Sequence, residues 1–134
     1  MIGKLHLNNF RNFGSKTFEF SEKVTLILGP NAVGKTNILE SLFLLSTGKS
    51  FKARTEVEMI RYSQNLARVT GVLSNTVGPV GSSSRSTFLV DTAGAQRDSL
   101  RSRHPISLEA AITTGENGWP KKKLLVNGVP RRTI

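Results

Sequence analysis

Eight consecutive residues carry the clearest chemistry in this 134-residue chain: GPNAVGKT, that is Gly29, Pro30, Asn31, Ala32, Val33, Gly34, Lys35 and Thr36. They fill every fixed position of the phosphate-binding pattern G-x-x-x-x-G-K-[ST]. The residue types explain what such a loop does. Glycine at 29 and 34 allows backbone angles that a side chain forbids, and lets the chain approach a phosphate closely. The N–H groups of residues 31–36 can then converge on one anion-sized nest. A helix opening here adds unpaired N–H donors and the positive end of its dipole. Lys35 supplies a charge for β- and γ-phosphates. The Thr36 hydroxyl is an oxygen ligand suited to Mg²⁺, which prefers oxygen and keeps some waters. A nucleotide's phosphates with Mg²⁺ are the ligand expected. A glycine turn that merely caps a helix is the plain alternative, and it leaves the full set of matches unaccounted for. A second GKS at 48–50 is not another such loop, because Phe43 stands where its leading glycine is required.

The elements around the loop have the order this chemistry needs. VTLIL at 24–28 is a continuous apolar run and reads as a strand buried on both faces, as in the centre of a parallel or mixed sheet. After the loop, a helix is expected over 34–46, with Ile38, Leu39, Leu42, Phe43 and Leu45 on one broad apolar face and Gly48 as its stop. Upstream, residues 2–10 alternate as a half-buried strand, with Leu5 and Leu7 on one face and His6 on the polar one. A turn over residues 11–14 leads into a second alternating strand at 16–21, giving an antiparallel pair. Downstream, 56–62 reads as a short helix, and 66–73, 87–90 and 106–113 as strands. The strand at 121–126 returns across a GENGWP turn, where Trp119 is expected to pack on the hairpin. Asn127-Gly128 signals a tight turn. Residues 74–86 are rich in Gly, Ser, Pro and Thr and read as a loop.

Composition narrows the partners. The chain holds 19 Lys and Arg against 9 Asp and Glu, a formal net charge of +10, with 37% hydrophobic residues and no Cys. That apolar content supports a buried core. The missing cysteines exclude a disulfide framework and a thiolate metal site. No apolar stretch nears the roughly 20 residues of a membrane span, so a soluble cytoplasmic protein is expected. The positive charge favours an anionic partner such as nucleic acid. Eight of the basic residues lie in 97–134 with three acidic ones. Lys49, Lys52, Arg54, Lys121, Lys122, Lys123, Arg131 and Arg132 are the candidate DNA-phosphate contacts, each with a solvated basic face as the alternative. His6 and His104 have no carboxylate cluster beside them, so no metal site is expected from them.

With the loop placed, its neighbours resemble one family. LHLNNFRNF at 5–13, the FEF at 18–20, the loop itself, TNILESLFLLSTGKSFK at 36–52, EVEMIRY at 56–62, LARVTG at 66–71 and KKKLLVNGVPRR at 121–132 are similar to the N-terminal part of the RecF family of bacterial replication and repair ATPases, which are ABC-type proteins related to SMC proteins. The resemblance covers about 1–73 and 106–134. It implies an α/β P-loop fold, the first lobe of an ABC-type ATPase head with a mixed sheet and an antiparallel N-terminal portion. It implies a partial ABC-type domain over 1–134, with 74–105 departing from the pattern as a Ser/Gly/Arg-rich insertion, and with the Q-loop, signature, acidic Walker B segment and arm of that family beyond residue 134. It also implies ATP binding, ATP-dependent homodimerisation, and binding to duplex, gapped or single-stranded DNA. Support of recombinase loading together with RecO and RecR, a part in the SOS response, and a weak ATPase in the complete protein follow by the same resemblance. Residues 29–36 carry over as the phosphate site, and Arg11 and Asn12 as nucleotide contacts from the turn after the first strand. A guanidinium beside a P-loop would suit phosphate; an exposed turn arginine is the alternative.

Two other readings stand beside this one. TFLVDTAG at 87–94 resembles the DxxG switch of small GTPases, with Asp91 as the residue supporting Mg²⁺, although no guanine-reading NKxD or TKxD occurs. A nucleotide-independent basic DNA-binding module is the non-enzyme alternative, and the intact P-loop speaks against it. Phosphoryl transfer needs a metal-supporting carboxylate and a group that orients the attacking water. Residues 29–36 supply neither, so no catalytic residue is assigned.

Overall fold

The computed structural model describes residues 1–74, 105–115 and 119–132. Its backbone is one sheet carrying one helix. The strands are β1 (Ile2–Phe10), β2 (Phe13–Glu19), β3 (Leu66–Leu73), β4 (Ile106–Thr114), β5 (Pro120–Val126) and β6 (Val129–Arg131). They lie in the order β2-β1-β3-β4-β5-β6, and every pairing is antiparallel. Helix α1 spans Lys35–Thr47, and a short 3₁₀ turn spans Glu56–Met59.

Alternation in the sequence sets the faces. Leu5 and Leu7 of β1, Ala67 and Val69 of β3, and Ala110 and Ile112 of β4 are buried on one side, while His6 on the other side meets the Thr17 hydroxyl at 2.8 Å. Asn9 has φ 48° and interrupts the alternation, and Phe10 joins the same core as Leu7. Helix α1 lies over β3 and β4 and adds Ile38 and Leu44 to that core. Gly71 permits this approach, since a Cβ there would stand 2.7 Å from Leu45 Cδ1. Truncating a fully buried leucine such as Leu7 or Leu44 to alanine would cost about 2–5 kcal/mol.

Two of the hairpins have tight two-residue turns. Arg11 and Asn12 join β1 to β2, and Asn127 and Gly128, both at positive φ, join β5 to β6. Gly48 ends α1 in the left-handed region at φ 72°, with its N–H on the Leu44 carbonyl at 2.8 Å.

Three expectations change. Residues 24–28 form no strand: Val24, Leu26 and Leu28 are about four-fifths exposed, and only Ile27 packs towards the core. A strand apolar on both faces needs a ladder on each edge and a layer on each face. Among the described residues none lies beside it, so the sheet that was expected to be mixed is antiparallel throughout. The buried face of α1 is Ile38, Glu40, Ser41 and Leu44, whereas Leu39 and Phe43 are exposed. The buried side mixes Ile38 and Leu44 with Glu40 and Ser41, so the apolar stripe alone could not tell which side meets the sheet. Trp119 is exposed rather than packed on its hairpin. The strand expected at 87–90 and the loop over 75–86 lie outside the described residues.

Candidate phosphate site

The loop and the N-terminus of α1 form a cleft of about 340 Å³ lined by Asn31, Ala32, Gly34, Lys35, Thr36, Asn37 and Lys52. Gly34 is the N-cap, at φ 112° and ψ 12°, and no side chain caps the helix. The N–H groups of Asn37 and Ile38 turn back onto the Gly34 carbonyl at 2.9 and 3.1 Å. Those of Lys35 and Thr36, which line the cleft, stand ahead of the first intrahelical acceptor. Ala32 sits at φ 65°, and such left-handed steps between right-handed ones shape an anion nest. Donors, a helix dipole and a lysine therefore converge at one small opening.

Lys35 Nζ donates to the carbonyls of Gly29 and Pro30, at 2.5 and 2.8 Å. Asn12 braces the loop from the side: its Nδ2 donates to the Val33 carbonyl at 3.0 Å, and its Oδ1 accepts from Asn37 Nδ2 at 2.9 Å. The contact is close enough that a Cβ on Gly34 would fall 2.8 and 2.9 Å from the Asn12 amide and 2.7 Å from Phe13 Cζ. A side chain at 34 would have to displace the ends of Asn12 and Phe13 in addition to adopting a left-handed φ.

Arg11 is placed otherwise than the turn position suggests. Its Nε and Nη2 form a two-pronged pair with Glu40, at 2.9 and 2.7 Å, and its Nη1 donates to the Glu58 carbonyl at 2.7 Å. It does not line the cleft. Glu40 is fully buried on α1 and also accepts from Ser50 Oγ at 2.5 Å. Burial pushes its carboxyl pKa up, but the hydrogen bonds from Arg11 and Ser50 and the charges of Arg11 and Lys52 outweigh that and hold it below its ordinary value. Every buried side-chain polar atom among the described residues is satisfied.

Sequence reading missed Glu40, Asn37 and Lys52 as parts of this region. A signal for Glu40 was available: it is a lone charge inside an otherwise apolar helical stretch, and a charge there demands a partner. Nothing local singles out Lys52 from its basic neighbours. Lys122 pairs with Glu56 beside a second, smaller cleft that Lys49 and Arg54 also line, while Lys121 and Lys123 are exposed. Asp91 and Gly94 of the DTAG segment lie outside the described residues.

The donor set fits a nucleotide's phosphates. Among the described residues no group of three His, Cys, Asp or Glu side chains could hold a metal alone. The cleft instead offers the Thr36 hydroxyl, the kind of single oxygen ligand that suffices when phosphate oxygens and waters complete a Mg²⁺ shell.

Comparison with known proteins places these features in a class. The family described as AAA domain matches residues 4–103, and the chain belongs to that family of P-loop ATPases. Within it, the chain is similar to the N-terminal part of RecF. It is 40% identical over 79 residues to the DNA replication and repair protein RecF of Acaryochloris marina, covering 59% of this chain and 21% of that protein. With the protein of the same name from Clostridioides difficile it is 51% identical over 66 residues, 48% of this chain and 18% of that one. The chain thus spans about a fifth of the length of the curated relatives it matches. Among solved structures, the recombination mediator protein RecF-ATP in the RecFOR pathway superposes with a TM-score of 0.69 at 25% identity, over 99% of this chain and 29% of that one. The RecF-ATPrS structure gives 0.68 at 25% identity, over 98% and 28%. The fold is that of a P-loop ATPase lobe of this type. No helix among the described residues is long and apolar enough to cross a membrane.

Proposed function

We propose that this chain is the nucleotide-binding N-terminal lobe of an ATP-dependent DNA replication and repair protein of RecF type. The observation that carries the reading is the complete phosphate loop seated on the N-terminus of α1, with Lys35 and Thr36 at the opening of the cleft. Residues 29–36 hold the phosphates of ATP, and Thr36 contributes a ligand to Mg²⁺, which neutralises phosphate charge when bound. Asn12 acts by bracing the loop and Arg11 by tying the β1–β2 turn to α1. The lobe forms part of an ABC-type domain over 1–134, with 74–105 as an insertion. In the complete protein, ATP drives a homodimer in the cytoplasm that binds duplex, gapped or single-stranded DNA, works with RecO and RecR in recombinase loading, and contributes to the SOS response. That protein is a weak ATPase. Among the described residues no carboxylate lines the cleft, so hydrolysis requires groups other than those lining it.

Titration calorimetry of the chain with magnesium and ATP or GTP tests this. Heat with ATP that disappears in Lys35→Ala is the expected result. Tighter binding of GTP would move the assignment to the GTPase reading. DNA affinity indifferent both to nucleotide and to Lys35→Ala would leave only a basic DNA-binding module.

A further inference from the structure

Lys52 differs from the other basic residues in how its loop is held. The chain turns back at Gly48, and Ser50 then acts as a pin. Its hydroxyl donates to buried Glu40 at 2.5 Å and accepts the N–H groups of Lys52 and Ala53 at 3.0 and 2.8 Å. Glu40 is in turn clamped by the two-pronged Arg11 pair at 2.9 and 2.7 Å. The pinned loop carries Lys52 back to the N-terminal end of α1. There its Nζ sits 3.3 Å from Asn37 Oδ1 and lines the phosphate cleft with Lys35 and Thr36. Lys49 and Arg54, its neighbours in sequence, line the other cleft.

We propose that Lys52 is a second cation of the triphosphate site, and that the Arg11–Glu40–Ser50 chain positions it there. This rests on the ATP reading above and names a residue that the P-loop pattern does not contain. An exposed ammonium whose one hydrogen bond is a long contact to a neutral amide, and which feels the Glu40 charge only at a distance, gains a much stronger partner in a phosphate oxygen, because bonds between two charged groups are about twice as strong as neutral ones. Among the described residues the lining holds two lysines and no carboxylate, which suits a polyphosphate. The more highly charged nucleotide gains more from the second cation, since the attraction scales with charge. Glu40 and Ser50 touch no ligand and are positioning residues.

The test is binding of magnesium-ATP and magnesium-ADP to the full chain, with Lys35→Ala as the reference. Lys52→Ala should weaken ATP about tenfold, the order of one charge-assisted hydrogen bond, and ADP less. Its ATP affinity should also fall less steeply with salt than that of the wild type. Lys52→Arg should stay within about threefold. Ser50→Ala removes the pin but leaves the Arg11–Glu40 pair. It should weaken ATP several-fold alone and add nothing on top of Lys52→Ala, as coupled residues do in a double-mutant cycle. A Lys52→Ala affinity within twofold of wild type, while Lys35→Ala weakens binding about a hundredfold, would overturn this inference and leave the ATP reading intact. Fully independent losses from Ser50 and Lys52 would overturn the positioning role. A wild-type chain that binds no ATP would remove both this inference and the proposed function.

Discussion

Helix α1 carries the same kind of tripeptide at each end: Gly34-Lys35-Thr36 at its start and Gly48-Lys49-Ser50 at its finish. Both glycines sit at positive φ, 112° and 72°. Both triplets then offer a lysine and a hydroxyl, yet they do opposite work. At the start, free N–H groups and the positive dipole end face the cleft, and the hydroxyl is exposed. At the finish, the glycine N–H is spent on the Leu44 carbonyl, and the serine hydroxyl is turned inward to Glu40. The end of a helix, more than the side chains there, decides whether a Gly-Lys-hydroxyl triplet can hold an anion.

The comparison can be broken most sharply through Glu40, the anchor of the second triplet. Glu40→Gln leaves Arg11 facing a neutral group in a buried setting, and should cost about 3 kcal/mol of stability in denaturant titrations at neutral pH. The loss has a pH signature. Because the folded carboxyl is held below its ordinary value, the wild type has this stabilisation in full above the usual carboxylate range of about 4–5. It loses it as pH falls through the lowered value. The wild-type and Glu40→Gln stability curves should therefore converge in acid; curves that stay parallel would refute the ionised pair.

The lysines give the next largest contrast. Lys35→Ala should weaken ATP about a hundredfold, the order seen when one partner of a hydrogen-bonded charge pair is removed. Lys49→Ala should change it by less than about twofold, as an exposed charge outside the cleft does. Equal losses would mean that net charge, and not the loop, binds the nucleotide.

The glycines give the smallest. Gly48 sits in the left-handed region at φ 72°, so Gly48→Ala meets a backbone penalty of about 1 kcal/mol. Gly34→Ala meets the same penalty and in addition the Asn12 and Phe13 side chains within 3.0 Å of the new Cβ, so roughly 2 kcal/mol is expected. Thermal or denaturant unfolding of the two variants, side by side, should rank them in that order.

What could be read from the chain alone was what short-range patterns dictate. The loop at 29–36, the helix stop at Gly48, the β1 strand, the β3 strand and the turn at Asn127-Gly128 each follow from a few adjacent residues and a steric or hydrogen-bonding rule. The apolar run at 24–28 was misread as a buried strand, because a strand exists only with neighbours, and among the described residues it has none. The buried side of α1 was misread because Leu39 and Phe43 are as apolar as Ile38 and Leu44; which side meets the sheet depends on β3 and β4, distant in sequence. Arg11 shows the limit most clearly. Its type and its place near the loop suggest phosphate, whereas the fold brings the buried Glu40 carboxylate against it at 2.9 and 2.7 Å, a partner that no local pattern names. Sequence determined the eight-residue loop and the helix that opens after it, because that geometry is local. Only the tertiary structure decided which side chains stand around it, because Asn12, Lys52 and the Arg11–Glu40–Ser50 chain meet through contacts between segments that the chain itself keeps far apart.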